Sequence, residues 1–166
     1  MTDLTPPSGP LSRLGLSVIA ATILVDQASK AIAEAMLPFG VTIDVLPFLA
    51  LHRVHNPGIA FSFLAGFGGW PLIVLTAVIT VVVLILWAQS NEGGRWATVG
   101  YALIVGGALG NLIDRAIHGY VIDFLLLHTG TMTLFVFNLA DTALTFGPAI
   151  LVIIYLWPRR QSAGTS

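Results

Sequence analysis

The chain has 166 residues, of which 56% are hydrophobic and 9% charged, and its mean hydropathy is +0.90. Too few polar side chains remain to cover a soluble globule of this size, so the chain is read as a membrane protein. Its net charge of −1, with seven basic residues scattered along the sequence, excludes a nucleic-acid partner, and the absence of cysteine excludes disulfides, thiol nucleophiles and cysteine-ligated zinc.

A membrane-spanning helix needs roughly 20 mostly apolar residues. Four stretches qualify, at about 14–36, 70–89, 96–113 and 134–157, which predicts an all-α integral membrane protein of one domain with tails at 1–13 and 158–166. The first stretch also has features of a cleavable signal, since Arg13 precedes it and Ala31-Ile32-Ala33 has the A-x-A form of a cleavage site. Asp26, Lys30 and Glu34 make the approach to that cut unusually charged, so the stretch is read as a retained helix. The following loop, 37–69, holds the strand-like pieces VTIDVL and FLALHRVH and the turn Asn56-Pro57-Gly58, which predict a small β-element at the membrane interface. Gly66-Phe67-Gly68-Gly69 reads as a flexible approach to the second helix, with Trp70 as interface anchor, and SNEGGR reads as a plain turn. No internal repeat or low-complexity tract is present.

Outside the first span, Arg13, Arg95, Arg159 and Arg160 fall on one side of the membrane and Arg53 and Arg115 on the other. The positive-inside rule makes the first side, with both termini, cytoplasmic. Asp26 and Lys30 then lie in the outer half of the first helix, Asn111, Asp114 and Arg115 at the outer end of the third, and Asp141 near the outer start of the fourth. Loops carrying Asn56 and Asp123 share that face.

Asp123, in VIDFLLL, and Asp141, in FNLADTALTF, are carboxylates in apolar surroundings. A lone intramembrane carboxylate costs several kcal/mol, so it is protonated, paired or facing a wet cavity. Two of them within hydrogen-bonding distance can share a proton, and such a pair hydrolyses amides without a metal: one takes a proton from water while the other protonates the carbonyl oxygen. Equally, Asp141 can simply cap the fourth helix and Asp123 pair with Arg115. Asp26 and Lys30, spaced i, i+4, suit an internal ion pair whose main role is structural. In GGALGNLIDR, Gly106 and Gly110 form a G-x-x-x-G that lets another helix approach. Asn111 and Arg115 at its polar end can hold a peptide carbonyl or lipid headgroup, or cap the helix; Asn138 is an N-cap, a hydrogen-bonding arm beside Asp141, or both. His52, His55, His118 and His128 lack a recognisable metal-site pattern, and no G-x-S-x-G or H-E-x-x-H motif occurs.

Five blocks, in order, resemble the lipoprotein signal peptidase (type II signal peptidase) family of bacterial membranes. They are Asp26-Gln27-Ala28-Ser29-Lys30, Asn56-Pro57-Gly58-Ile59-Ala60-Phe61-Ser62, Gly106 to Arg115, Val121-Ile122-Asp123-Phe124, and Phe137-Asn138-Leu139-Ala140-Asp141. The resemblance implies an intramembrane aspartic endopeptidase that removes the signal peptide from diacylglyceryl-modified prolipoproteins, cutting just before the lipid-modified cysteine. It implies a catalytic pair of Asp123 and Asp141; a substrate and inhibitor pocket using Asn56, Gly58, Asn111, Arg115, Asn138 and Ala140; and structural support from Asp26, Lys30 and Asp114. It further implies no metal or cofactor, membrane lipids as partners, cyclic-peptide inhibitors such as globomycin in the same pocket, and an outer β-cradle from the first loop. Pro57 and Ile59 depart from the family's usual pattern in that loop. A small proton-coupled carrier or a noncatalytic membrane scaffold is the alternative from another class; the carrier predicts acidic groups spread through the membrane depth, and the scaffold tolerates Asp to Asn at both positions.

Overall fold

The computed structural model describes residues 6–58, 70–130 and 132–156. Its helices α1 (Arg13–Met36), α2 (Trp70–Gln89), α3 (Gly94–His118) and α4 (Leu139–Leu156) are each long and apolar enough to cross a membrane. Between them a four-stranded antiparallel sheet runs in the order β1 (Thr42–Leu46), β2 (Leu49–Asn56), β3 (Val121–Thr129) and β4 (Met132–Phe137). The helix bundle agrees with the apolar pattern.

The sheet is larger than expected. Only β1 and β2 come from the first loop, while β3 and β4 form a hairpin from the chain between α3 and α4. Residues 134–137, assigned above to the start of the fourth span, are strand. The run Met132–Phe137 is short and rich in aromatic and β-branched residues, and a run of that length does not distinguish a strand from a helix by periodicity. Pairing of Leu125 with Phe137 and of Leu127 with Phe135 settles it as a strand. Conversely, α3 continues past 113 to His118, because Asn111 and Asp114 are buried against other elements instead of leaving the bilayer. The Gly66–Gly69 approach, Ile59, and Arg159 and Arg160 lie outside the described residues.

Small residues make α3 the centre of the bundle: 56% of its apolar window is buried, against 17% for each other helix. A Cβ on Gly106 would come within 2.8 Å of Thr22, and one on Gly110 within 2.6 Å of the Asp26 carboxylate, so the G-x-x-x-G face receives α1. Gly107 and Gly100 lie on the face toward α4; a Cβ on Gly107 would sit 2.6 Å from the Ala140 carbonyl oxygen. By contrast α2 is apolar all round, with Val74, Val78, Val81 and Ile85 exposed, as suits a helix in contact with lipid. At its far end Trp87 stacks on Tyr101 and donates from Nε1 to the Ser8 carbonyl at 2.8 Å, closing that end of the bundle.

Candidate active site

Two turns of chain deliver the acidic residues to one place. At the end of α3, Gly119 takes the left-handed conformation (φ 79°), which few other residues adopt without strain, and its N–H closes on the Arg115 carbonyl. The chain reverses into β3, and Asp123 falls opposite Val54 of β2. At the start of α4, Asn138 and Asp141 cap one another: the Asp141 N–H donates to Asn138 Oδ1 at 2.9 Å, and the Asn138 N–H donates to Asp141 Oδ2 at 3.2 Å. Capping and hydrogen bonding beside Asp141 therefore coexist.

Asn138 also reaches the other acid. Its Nδ2 donates to Asp123 Oδ1 at 2.6 Å, so a single buried residue is bonded to both carboxylates. Asn56 Nδ2 donates to Asp123 Oδ2 at 2.9 Å, and Asn111 Nδ2 donates to Asp141 Oδ1 at 2.8 Å. The Asn56 amide is oriented by the Gly58 N–H, which donates to its Oδ1 at 2.9 Å. Gly58 has φ 95°, a backbone conformation that side-chain-bearing residues rarely adopt, and a Cβ there would also run into the Leu72 side chain, so the turn favours glycine. No hydrogen bond joins the two carboxylates directly; Asn138 spans between them.

Asp123 is 1% exposed, whereas Asp141 is half-buried. Burial pushes the Asp123 carboxyl up from 3.8 to about 6; the Asn56 amide opposes that rise, the nearby Asp141 charge adds to it, and Asn138 and Lys30 oppose it. Arg115 makes no ion pair with Asp123 among the described residues. Its guanidinium lies within the field of Asp141, Asp123 and Asp114, one nitrogen donates to its own helix at Asn111 O (3.4 Å), and its buried Nε has no partner among the described residues. The fork of donors is thus held beside the acids with capacity to spare.

Of the expected pocket residues, Asn56, Asn111, Arg115 and Asn138 meet around the acids. Gly58 and Ala140 sit behind them: both are buried, the first setting the Asn56 amide and the second donating its N–H to Asp26. Asp26, Lys30 and Asp114 form a buried ion cluster beneath the site. Gln27, given no role above, joins this cluster: its Nε2 lies 2.8 Å from Asp114 Oδ1 and 3.2 Å from Asp26 Oδ2. Its place beside Asp26 in the first block was the available signal. Among the described residues no cluster of His, Cys, Asp or Glu has the arrangement of a metal site. The histidines serve the sheet instead, His52 bonding Thr42 and His55 stacking on Tyr120.

Beside Asp141 a cavity of about 380 Å³ opens between β4 and the first turns of α4. Phe135, Phe137 and Phe146 make it apolar, while Asp141, Thr142 and Thr145 give it one polar wall. The arrangement combines two acids in unequal settings, amide donors, a guanidinium beside them and an apolar recess, a set of groups able to hydrolyse a lipophilic substrate.

Comparison with known proteins identifies the family of the chain. Residues 18–157 match the family model described as signal peptidase II. The lipoprotein signal peptidases of Brucella ovis, Brucella abortus and Brucella melitensis are each 45% identical over 138 residues, covering 83% of this chain and 86% of theirs. Two solved structures of a bacterial membrane enzyme share the fold. One has a TM-score of 0.79 at 24% identity over 100% of this chain and 99% of its own, the other 0.80 at 25% identity over 96% and 99%. A match running through all four helices and both acid-bearing segments makes this chain a member of the signal peptidase II family, a family of membrane proteases.

Proposed function

We propose that the protein is an intramembrane aspartic endopeptidase that removes the signal peptide from diacylglyceryl-modified prolipoproteins, cutting on the N-terminal side of the lipid-modified cysteine. The observation that carries the reading is Asn138, bonded to Asp123 through its side chain and to Asp141 through its backbone. Such a link holds two acids at a fixed spacing without letting them merge into one hydrogen bond.

Asp123, raised to about 6 by burial, is the acid, and Asp141, held by the Asn111 amide and the first turn of α4, is the base. Asp141 takes a proton from water as the water oxygen bonds to the scissile carbonyl carbon, and Asp123 gives its proton to the carbonyl oxygen. The neutral tetrahedral diol then collapses. Its carbon–nitrogen bond breaks, the Asp141 proton passes to the departing amine of the modified cysteine, and a hydroxyl proton returns to Asp123. Asn56, Asn111, Asn138 and the Arg115 fork orient the peptide, and the apolar recess beside Asp141 accommodates neighbouring side chains while the acyl chains stay in lipid. Cyclic-peptide inhibitors such as globomycin are expected to occupy the same site. We place it near the outer face of the bacterial cytoplasmic membrane, both termini inside, with the sheet as an extracytoplasmic cradle.

The test compares a diacylglyceryl-modified prolipoprotein with the same chain left unmodified, using purified enzyme in detergent and mass spectrometry of the products. Cleavage of the modified chain alone, leaving the lipid-bearing cysteine at the new N-terminus, is expected. Equal cleavage of both chains, or a cut elsewhere, contradicts the assigned substrate. The carrier alternative has less support, because the acids gather at one end of the bundle and the described residues show no repeat.

A further inference from the structure

Lys30 is 2% exposed, and an ammonium has three protons to place. Two of them form hydrogen bonds, to Asp26 Oδ2 at 2.8 Å and to Asn111 Oδ1 at 3.1 Å, and Asp114 Oδ2 lies 2.8 Å from the ammonium as an ion-pair partner. The two carboxylates have further partners. Asp26 Oδ1 accepts the Ala140 N–H at 2.9 Å, and Asp114 Oδ2 accepts the Ile122 N–H at 3.1 Å. Gln27 Nε2 bridges the two acids from the side.

Ala140 directly precedes Asp141, and Ile122 directly precedes Asp123. Each carboxylate of the cluster therefore grips the backbone one residue ahead of one acid of the candidate pair, and Lys30 ties the two grips together. Its hydrogen bond to Asn111 reaches the pair by another route. The Asn111 amide must turn its oxygen toward the ammonium, because two donors repel, and this leaves Nδ2 facing Asp141.

We propose that Asp26, Lys30 and Asp114 are positioning residues that set the spacing and orientation of Asp123 and Asp141, beyond their support of the first helix. The proposal rests on the reading of those two aspartates as the catalytic pair. A general contribution to folding needs only that the cluster be neutralised and hydrogen-bonded. It does not need each grip to fall on the residue before an acid, nor an ammonium proton to fix an amide whose other end meets Asp141.

Lys30→Arg, Asp26→Asn and Asp114→Asn, purified in detergent, test this alongside wild type and Asp141→Asn. Thermal denaturation gives the folded fraction of each, and the rate per folded enzyme on a diacylglyceryl-modified prolipoprotein is followed across pH. Lys30→Arg preserves the cluster's charge but replaces the point ammonium by a planar fork, so it carries the test if the neutralising variants fail to fold. The expected result is a folded Lys30→Arg enzyme with kcat lowered about 100-fold, as misplacement of reacting groups by about 1 Å produces. At least one limb of its pH profile should also move by half a unit or more. The charged groups around the pair are Asp26 and Lys30 from α1 and Asp114 and Arg115 from α3, and the substitution alters only one of them. A merely structural role lowers the active fraction and leaves the normalised profile in place. An unmoved profile with kcat per folded enzyme unchanged overturns the proposal while leaving the catalytic reading intact. Absent cleavage by wild type, or cleavage by Asp141→Asn equal to it, overturns the catalytic reading and the proposal with it.

Discussion

Asp123 is held in a setting that works against its own charge. Its carboxyl is raised from 3.8 to about 6, chiefly by burial, so the proton is bound more tightly in the folded chain than in the unfolded one. The stability this provides is complete below about 3.8 and is lost as pH rises through about 6, at most about 3 kcal/mol at 1.36 kcal/mol per unit. Wild type in detergent should accordingly melt at a lower temperature at pH 7.5 than at pH 4.5, other carboxylates aside, and Asp123→Asn should flatten that difference. An identical pH dependence in both proteins would show that Asp123 is not strained by burial. Asn56 works in the opposite direction, since its amide stabilises the charged form of Asp123. Asn56→Ala should let Asp123 hold its proton to higher pH, so the alkaline limb of the rate profile moves upward; movement downward would contradict the assignment of Asp123 as acid. The sequence shows the acids, the asparagines and Arg115 as polar residues out of place in apolar segments. It does not show that one residue, Asn138, is bonded to both aspartates, because that depends on the β3–β4 hairpin bringing two distant positions together.

At the scale of elements, site geometry follows from how closely three helices approach. Gly107 lets the start of α4 lie against α3, with room for no more than a hydrogen between the Gly107 Cα and the Ala140 carbonyl. Gly107→Leu should push α4 away, costing on the order of 3 kcal/mol through overpacking, and should abolish activity by moving Asp141 off Asn111. Melting in detergent and cleavage rate check this; a variant that melts and cleaves like wild type would mean that the α3–α4 contact is not tight. The four helices were legible from length and hydropathy, and so, from spacing, was a face at Gly106 and Gly110 for another helix, though not that the helix is α1. The end of α3 and the start of α4 were not. Asn111, Asp114 and Arg115 resemble the polar edge of a span when read alone, yet most of that edge is buried by α1 and by the sheet, and the apolar strand β4 mimics the first turn of a helix.

For the whole molecule, the sheet and the acids lie at one end of the bundle, while Trp87, Thr98 and Ser8 close the other. This polarity fits an enzyme whose substrate is anchored in one leaflet. The chain contains no cysteine, so a single one can report its side. Asp44 on β1 is 76% exposed, and Asp44→Cys in intact bacterial cells should be labelled by a membrane-impermeant maleimide from the outside. Labelling only after the membrane is opened would reverse the proposed orientation.

The central claim is that Asp123 and Asp141 together hydrolyse a peptide bond presented from the membrane. Its most direct test is cleavage of a diacylglyceryl-modified prolipoprotein by purified wild type and by Asp141→Asn, with EDTA present throughout and folding verified by thermal denaturation. Cleavage by wild type and none by the folded variant is the predicted result. Equal cleavage by both would contradict the account.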